Sequence, residues 1–164
     1  MAVLPILQYP DPRLALPGRL VEKVDTDINK IVDDMFQTHY AQENCAALAA
    51  TQLGISLRIT VIDFSEEKNE PLCLINPEII EKSTTTTNTK EGCMSIRGVS
   101  KKVARAEKIK VRALDRQGEI LEFEADGFMA KCIQHEIDHL DGVLFIDHLS
   151  KLQKMMVCKK FKKY

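Results

Sequence analysis

His135-Glu136-Ile137-Asp138-His139 sets two imidazoles four residues apart with a carboxylate beside the first. On a helix, residues four apart stack on one face, so both rings can reach the same cation. Glu136 then adjoins a ligand, where its carboxylate can take a proton from a water that the ion has acidified. The chemistry this predicts is metal-assisted hydrolysis. The bare string also arises on charged helix faces, so the rest of the chain has to supply a third ligand. A catalytic zinc-type centre uses three protein ligands and keeps one position open. Glu91-Gly92-Cys93-Met94-Ser95 is the best source. Thiolate binds zinc or ferrous iron strongly, and Gly92 would let the backbone bend close to the ion. His148 is a competing third ligand, as a general zinc metallopeptidase would need. It lies nine residues after His139, a spacing that does not match the extended histidine motif of such enzymes. That reading also leaves the Cys93 segment idle.

The elements that must position these residues are legible in outline. Ile28, Ile31, Val32, Met35 and Phe36 recur at helical spacing, which predicts a helix over about 27–40 capped by Asp25 or Thr26. The small-residue run Asn44 to Gln52 is ambiguous in type and would allow close approach to its backbone. Arg58–Asp63 and Leu72–Asn76 read as strands, and the threonine-rich stretch Ser83–Thr89 as an extended edge or loop. Lys108–Arg112 alternates, turns at Asp115-Arg116-Gln117-Gly118 and returns through Phe123, which predicts a hairpin. Gly127 leads into the motif-bearing helix, about 128–140. A final amphipathic helix is expected to use Leu149, Leu152 and Met156. No internal repeat or dividing linker is visible. The fold class is α+β: a central metal-binding helix among small antiparallel or mixed sheets, with helices near both ends.

Composition bounds the rest. A chain of 164 residues with 45% apolar and 29% charged residues fits one globular domain, 1–164, with a basic C-terminal helix at about 148–164. No apolar stretch is long enough to span a bilayer, and the start lacks the basic leader of an export signal, so cytoplasmic residence is expected. Five cysteines without a paired framework are expected to be free thiols, with Cys73 and Cys132 as buried small hydrophobes. The net charge is −1, but residues 150–164 hold six lysines and no acid, which leaves −7 on the remainder. A cationic tail on an acidic body suits a polyanion such as nucleic acid, or simply forms a solvated helix.

These residues resemble bacterial peptide deformylase. Its three signature segments appear in order as Leu48-Ala49-Ala50-Thr51-Gln52, Glu91-Gly92-Cys93-Met94-Ser95 and Gln134-His135-Glu136-Ile137-Asp138-His139. Pro10-Asp11-Pro12-Arg13-Leu14, Ile75-Asn76-Pro77 and Gly142-Val143-Leu144-Phe145 carry the likeness along the whole chain. The resemblance implies removal of the N-formyl group from the initiating methionine of nascent polypeptides. It implies Cys93, His135 and His139 as ligands of one divalent metal, Fe2+ in the cell with Zn2+, Ni2+ or Co2+ as alternatives. Glu136 would be the general base. The Gln52 amide and the Met94 backbone N–H would face the developing oxyanion. The peptide would lie extended along Ala46, Ala47 and Leu48, with Gly92, Phe128 and Lys131 also against it. The lysine-rich tail would dock near the ribosomal exit tunnel through phosphate contacts, and the protein would act as a monomer.

The chain departs from that pattern in three places. The lead-in Glu43-Asn44-Cys45-Ala46-Ala47 replaces paired glycines and carries one extra residue, so the backbone beside the substrate should differ locally. Lys131 stands where the family has an apolar residue; it must reach solvent or meet an acid, or else it alters side-chain preference. Arg97 and Ser100 replace proline and arginine on the rim beyond Cys93. Asp138 is open between bracing the metal helix and serving as a surface charge. A deformylase-like protein with changed substrate preference, or a ribosome-binding protein without turnover, is the alternative to the plain enzyme.

Overall fold

The computed structural model describes residues 2–161. The first helix, α1 (Thr26–Tyr40), begins at Asp25, whose side chain accepts from the Ile28 amide. That bond satisfies one of the free N–H groups of the first turn. Val32 and Met35 on its apolar face are fully buried.

The strands form two sheets. Five strands, β1 (Ala47–Ala49), β2 (Ile59–Ile62), β3 (Leu72–Lys82), β6 (Lys108–Leu114) and β7 (Ile120–Asp126), pair antiparallel in the order β1-β2-β3-β6-β7. β4 (Thr86–Cys93) and β5 (Ile96–Ala106) form a separate two-stranded arm. The hairpin around Asp115–Gly118 joins β6 and β7, with Gly118 at φ +81°. β1 lies at the edge of its sheet, so one side of its backbone is free of sheet partners.

The motif-bearing helix is α2 (Gly127–Leu140). Ala130, Ile133 and Ile137 pack on Ile62, Leu74, Val111 and Ala113 of the large sheet. This spacing turns His135, Glu136 and His139 to a different side of the helix. The Gln134 side-chain amide fixes the rotation: its Oε1 accepts from the Ala106 N–H at 3.0 Å and its Nε2 donates to the Ala106 carbonyl at 2.9 Å. At the C-terminal end, Thr51 Oγ1 donates to the His139 carbonyl (3.0 Å) and Arg58 Nη1 to the Leu140 carbonyl (2.9 Å). Both are carbonyls that the helix itself cannot satisfy. The chain then turns at Gly142 (φ +77°), where a Cβ would stand 2.5 Å from the Ala15 carbonyl oxygen.

Several expectations need correction. The Ser83–Thr89 expectation of an extended edge or loop holds, with Thr86–Thr89 opening the edge strand β4, but the strand runs on to Cys93 because β5 pairs with it throughout. β5 itself had no expectation: its buried apolar residues Ile96, Val99, Val103 and Ala106 recur every three or four positions rather than every two. β3 runs six residues past Asn76, across two register shifts opposite β6. The final helix α3 (Lys151–Phe161) does not bury Leu152 or Met156, which are 68% and 62% exposed. Val157 is its buried residue, packed with Phe145 and Val103. The expected start near 148 is also corrected, since His148 ends a 3-10 turn, Phe145–His148, before α3 begins, and residues 162–164 lie outside the described residues. Among the described residues no helix is long and apolar enough to cross a membrane, and all five cysteines are free thiols.

Candidate metal centre

α2 carries two imidazoles on one face, and the β4–β5 arm brings a thiol to them. His139 Nε2 lies 3.2 Å from His135 Nε2 and 3.2 Å from Cys93 Sγ. The three ligand atoms all fall within 4.8 Å of one another. Cys93 reaches this point through a register shift between Glu91 and Cys93 that re-aims the strand end. The bend does not depend on a glycine at position 92 as expected: a Cβ there would meet the Val99 carbonyl oxygen at an ordinary 3.6 Å, and no left-handed φ is needed.

His135 is oriented from behind. Its Nδ1 is 2.8 Å from Glu91 Oε1, which leaves Nε2 to face the cluster. Glu91 is held in turn by Arg105, whose Nε and Nη2 donate to its two oxygens at 2.7 and 2.9 Å. Arg105 Nη1 donates to Asp138 Oδ2 (2.6 Å), and the same oxygen lies 2.8 Å from His148 Nε2. Burial works against the Glu91 charge, yet the bonds from Arg105 and His135 hold its carboxyl down at about 2. Asp138 is therefore a brace for the metal helix. His148 belongs to that brace and is not among the three converging ligands.

Glu136 is 4% exposed, and among the described residues its Oε2 has no hydrogen-bond partner. Burial pushes its carboxyl up to about 7. A lone buried carboxylate oxygen beside two imidazoles and a thiol is costly unless a cation or a proton-bearing reactant faces it. One thiolate and two imidazoles form a borderline-soft set suited to zinc or ferrous iron, and three ligands leave a position open. Burial lowers His139 well below the ordinary histidine value, while at His135 burial is outweighed by the contacts to Cys93 and Glu91, which push the ring up to about 10, a proton that a bound cation would displace. The residues fit a divalent metal.

Gln52 sits in a 3-10 turn, Ala50–Leu53, directly after β1. Its Oε1 accepts from the Ala49 N–H at 2.9 Å, which aims Nε2 at Ser95 Oγ (3.0 Å) and Cys93 Sγ (3.5 Å). Met94 follows Cys93 at the β4–β5 turn, and its carbonyl accepts from Gln8 Nε2 at 2.9 Å. A cleft of about 580 Å³ opens over the cluster, and its lining includes Ala46, Ala47, Gly92, Met94, Phe128 and Lys131. The Leu48 side chain does not line it and is fully buried in the core.

The departures from the family pattern take definite form. Within the lead-in, Asn44 alone takes a left-handed φ (+57°), which asparagine tolerates, while Ala46 and Ala47 do not. Cys45 is half-buried, and burial pushes its thiol up to about 12. Among the described residues Lys131 meets no acid. Its Nζ reaches the rim, donates to the Lys90 carbonyl at 2.7 Å and lies 5.5 Å from the centre of the Phe128 ring. Sequence reasoning missed Ser95, Arg105 and the orienting role of Glu91. Glu91 and Ser95 lie inside the cysteine motif, a signal that was available; Arg105 has no local signal, because its partners are tertiary.

The profile of the polypeptide deformylase family matches residues 3–155. The chain is 59% identical over 161 residues to peptide deformylase 1 of Coxiella burnetii, covering 96% of this chain and 94% of that one. The crystal structure of a peptide deformylase from Legionella pneumophila superposes with a TM-score of 0.92 at 42% identity, over 99% of this chain and 95% of that one. A peptide deformylase from Ehrlichia chaffeensis, solved in complex with actinonin, gives a TM-score of 0.93 at 42% identity, over 99% and 98%.

Proposed function

The chain belongs to the polypeptide deformylase family, and on that premise we propose which of its residues perform the reaction. It is a metal-dependent hydrolase that removes the N-formyl group from the initiator methionine of nascent polypeptides, giving formate and a free amine. Cys93, His135 and His139 hold the metal, Fe2+ in the cell, with Zn2+, Ni2+ or Co2+ able to take its place. When bound, the cation supplies Lewis acidity that makes water a nucleophile at neutral pH. Glu136 takes a proton from the attacking water and delivers it to the departing amine nitrogen as the formyl C–N bond breaks. The Gln52 amide and the Met94 N–H donate to the oxygen that becomes negative as the formyl carbon turns tetrahedral. The peptide lies along the free edge of β1, beside Ala46 and Ala47, main chain to main chain. Leu48 contributes its backbone there, while Gly92, Phe128 and Lys131 border the peptide on the other side.

The whole chain, 1–164, acts as one catalytic domain, a cytoplasmic monomer. Lys151, Lys154, Lys159 and Lys160 on α3 give it a cationic helix that docks at the ribosome near the exit tunnel. The observation that carries the assignment is the convergence of one thiol and two imidazoles beside a buried, unpartnered Glu136 oxygen. Metal content of the purified variants tests it. Cys93→Ser is expected to lose the metal and formate release from formyl-Met-Ala-Ser together, whereas His148→Ala keeps the metal. Loss of metal from His148→Ala with retention in Cys93→Ser would transfer the third ligand to His148 and overturn the assignment.

A further inference from the structure

Gln52 and Met94 reach the metal centre on two turns that no strand ladder joins. The first follows β1 and the second links β4 to β5, and those strands belong to different sheets. Three consecutive residues bridge the gap. The Leu7 N–H donates to the Gln52 carbonyl at 2.8 Å, and the Tyr9 N–H to the Ser95 carbonyl at 2.7 Å. Between them, Gln8 Nε2 donates to the Met94 carbonyl at 2.9 Å and to the Ile6 carbonyl at 3.2 Å. The same segment packs on both sides. Ile6 sits on the cluster of Leu48 and Ala50, while Leu7 and Tyr9 sit on that of Ile96 and Val99. Tyr9 is anchored again by α3: its Oη is 2.9 Å from Cys158 Sγ, and its ring stands edge-on to Phe161 at 5.5 Å.

We infer that Gln8 is a positioning residue of the deformylation reaction, and that the segment Leu7–Tyr9 sets the spacing between the Gln52 amide and the Met94 N–H. The inference rests on the oxyanion assignment above and deepens it. Two residues span at most about 7 Å, so the bonds from Leu7 and Tyr9 tether the Gln52 and Ser95 main chains on a short spacer. Gln52 Nε2 closes the same gap from within, donating to Oγ of the fully buried Ser95 at 3.0 Å. Met94 thus lies between two held neighbours, Cys93 at the metal centre and Ser95 under the Tyr9 amide. Its carbonyl is the group left to swing in that turn, and Gln8 holds it. With the peptide planes on both sides fixed, the Met94 N–H keeps one direction. Donors aimed in advance stabilise developing charge without reorganising, and a donor that must be re-aimed loses part of that gain. The effect of Gln8 therefore falls on kcat.

The test measures formate release from formyl-Met-Ala-Ser by the metal-loaded wild type, Gln8→Met, Gln8→Lys and Gln52→Leu, with metal content taken for each. Gln8 is exposed, so these substitutions leave the core packing alone. Gln8→Met keeps an unbranched stem and removes the donor, whereas Gln8→Lys returns a donor on a longer stem. Gln8→Met is expected to lower kcat about three- to tenfold, the range of one ordinary hydrogen bond, with KM and metal content unchanged. Gln8→Lys is expected to recover most of that loss. A wild-type kcat in Gln8→Met overturns the inference. A loss that appears in KM instead, or one that Gln8→Lys shares in full, also overturns it, because packing of the stem would then be responsible. Failure of the oxyanion assignment would look different: Gln52→Leu itself would turn over at the wild-type rate.

Discussion

At the scale of single residues, the centre works because each reactive group has a second contact that fixes its direction. His135 is aimed by Glu91, Glu91 by Arg105, and the Gln52 amide by the Ala49 N–H. Gln52 is the clearest case for a donor placed before the reaction begins. It is 1% exposed, its oxygen is committed, and its Nε2 points toward Cys93. Gln52→Leu is expected to lower kcat by about 10²–10³-fold with little change in KM, as loss of one oxyanion donor does elsewhere. Its metal content, measured alongside, should stay at the wild-type level. A kcat equal to wild type would remove Gln52 from the chemistry. The pairing of His135 and His139 beside Glu136 was legible in the sequence because residues four apart on a helix share a face. Arg105 was not, since nothing near position 105 encodes its contacts with Glu91 and Asp138, which lie 14 and 33 residues away.

At the scale of elements, the helix and sheet ends are pinned by single polar groups, and these control the acid side of stability. Asp63, 3% exposed at the end of β2, accepts from Tyr40 Oη at 2.6 Å, from the Ser65 N–H at 3.0 Å and from the Glu70 N–H at 3.3 Å. Burial favours its neutral form, but these bonds win and hold the carboxyl below its ordinary value. A folded-state value below the unfolded value of about 3.9 means that the ionised group stabilises fully above that pH. The contribution is lost as pH falls from there through the folded-state value. Asp63→Asn is therefore expected to be less stable than wild type at neutral pH, with the gap closing below about pH 4. Urea unfolding midpoints at neutral and acid pH check this, and a gap that widens with acid would contradict it. The elements also show where sequence reading stops. α1 and α2 were legible because each buries a continuous apolar face. β5 was not, because its buried residues are shared between two clusters, Ile96, Val99 and Val103 with Phe145 and Val157, and Ala106 with Ala130 and Ile133. In α3 the helical spacing of Leu152 and Met156 was real but marks the exposed side.

At the scale of the whole molecule, the cationic C-terminal helix packs beside the catalytic cleft, with Val157 in one cluster with Ile96 and Val99, which line it. Lys159 and Lys160 close the last turn of α3, and Lys160 also donates to the Gly98 carbonyl at 3.1 Å. Replacing Lys151 and Lys159 by glutamate is expected to weaken co-sedimentation with ribosomes and reduce the dependence of that binding on salt. Binding that is unaffected by the two substitutions would contradict docking through α3. The architecture was legible in outline: the class, the hairpin and the two main helices follow from periodicity. The division into a five-stranded sheet and a separate β4–β5 arm was not, because it depends on which strand partners which. That division matters, since it lets one arm carry Cys93 and the sheet-packed helix carry the histidines. The central claim is that Glu136 moves the proton at this metal centre, and Glu136→Gln tests it most directly. Protein purified anaerobically and loaded with ferrous iron should release formate from formyl-Met-Ala-Ser. The Glu136→Gln variant, carrying the same metal content, is expected to lose at least about 10²-fold in kcat. Turnover by that variant at the wild-type rate would contradict the account.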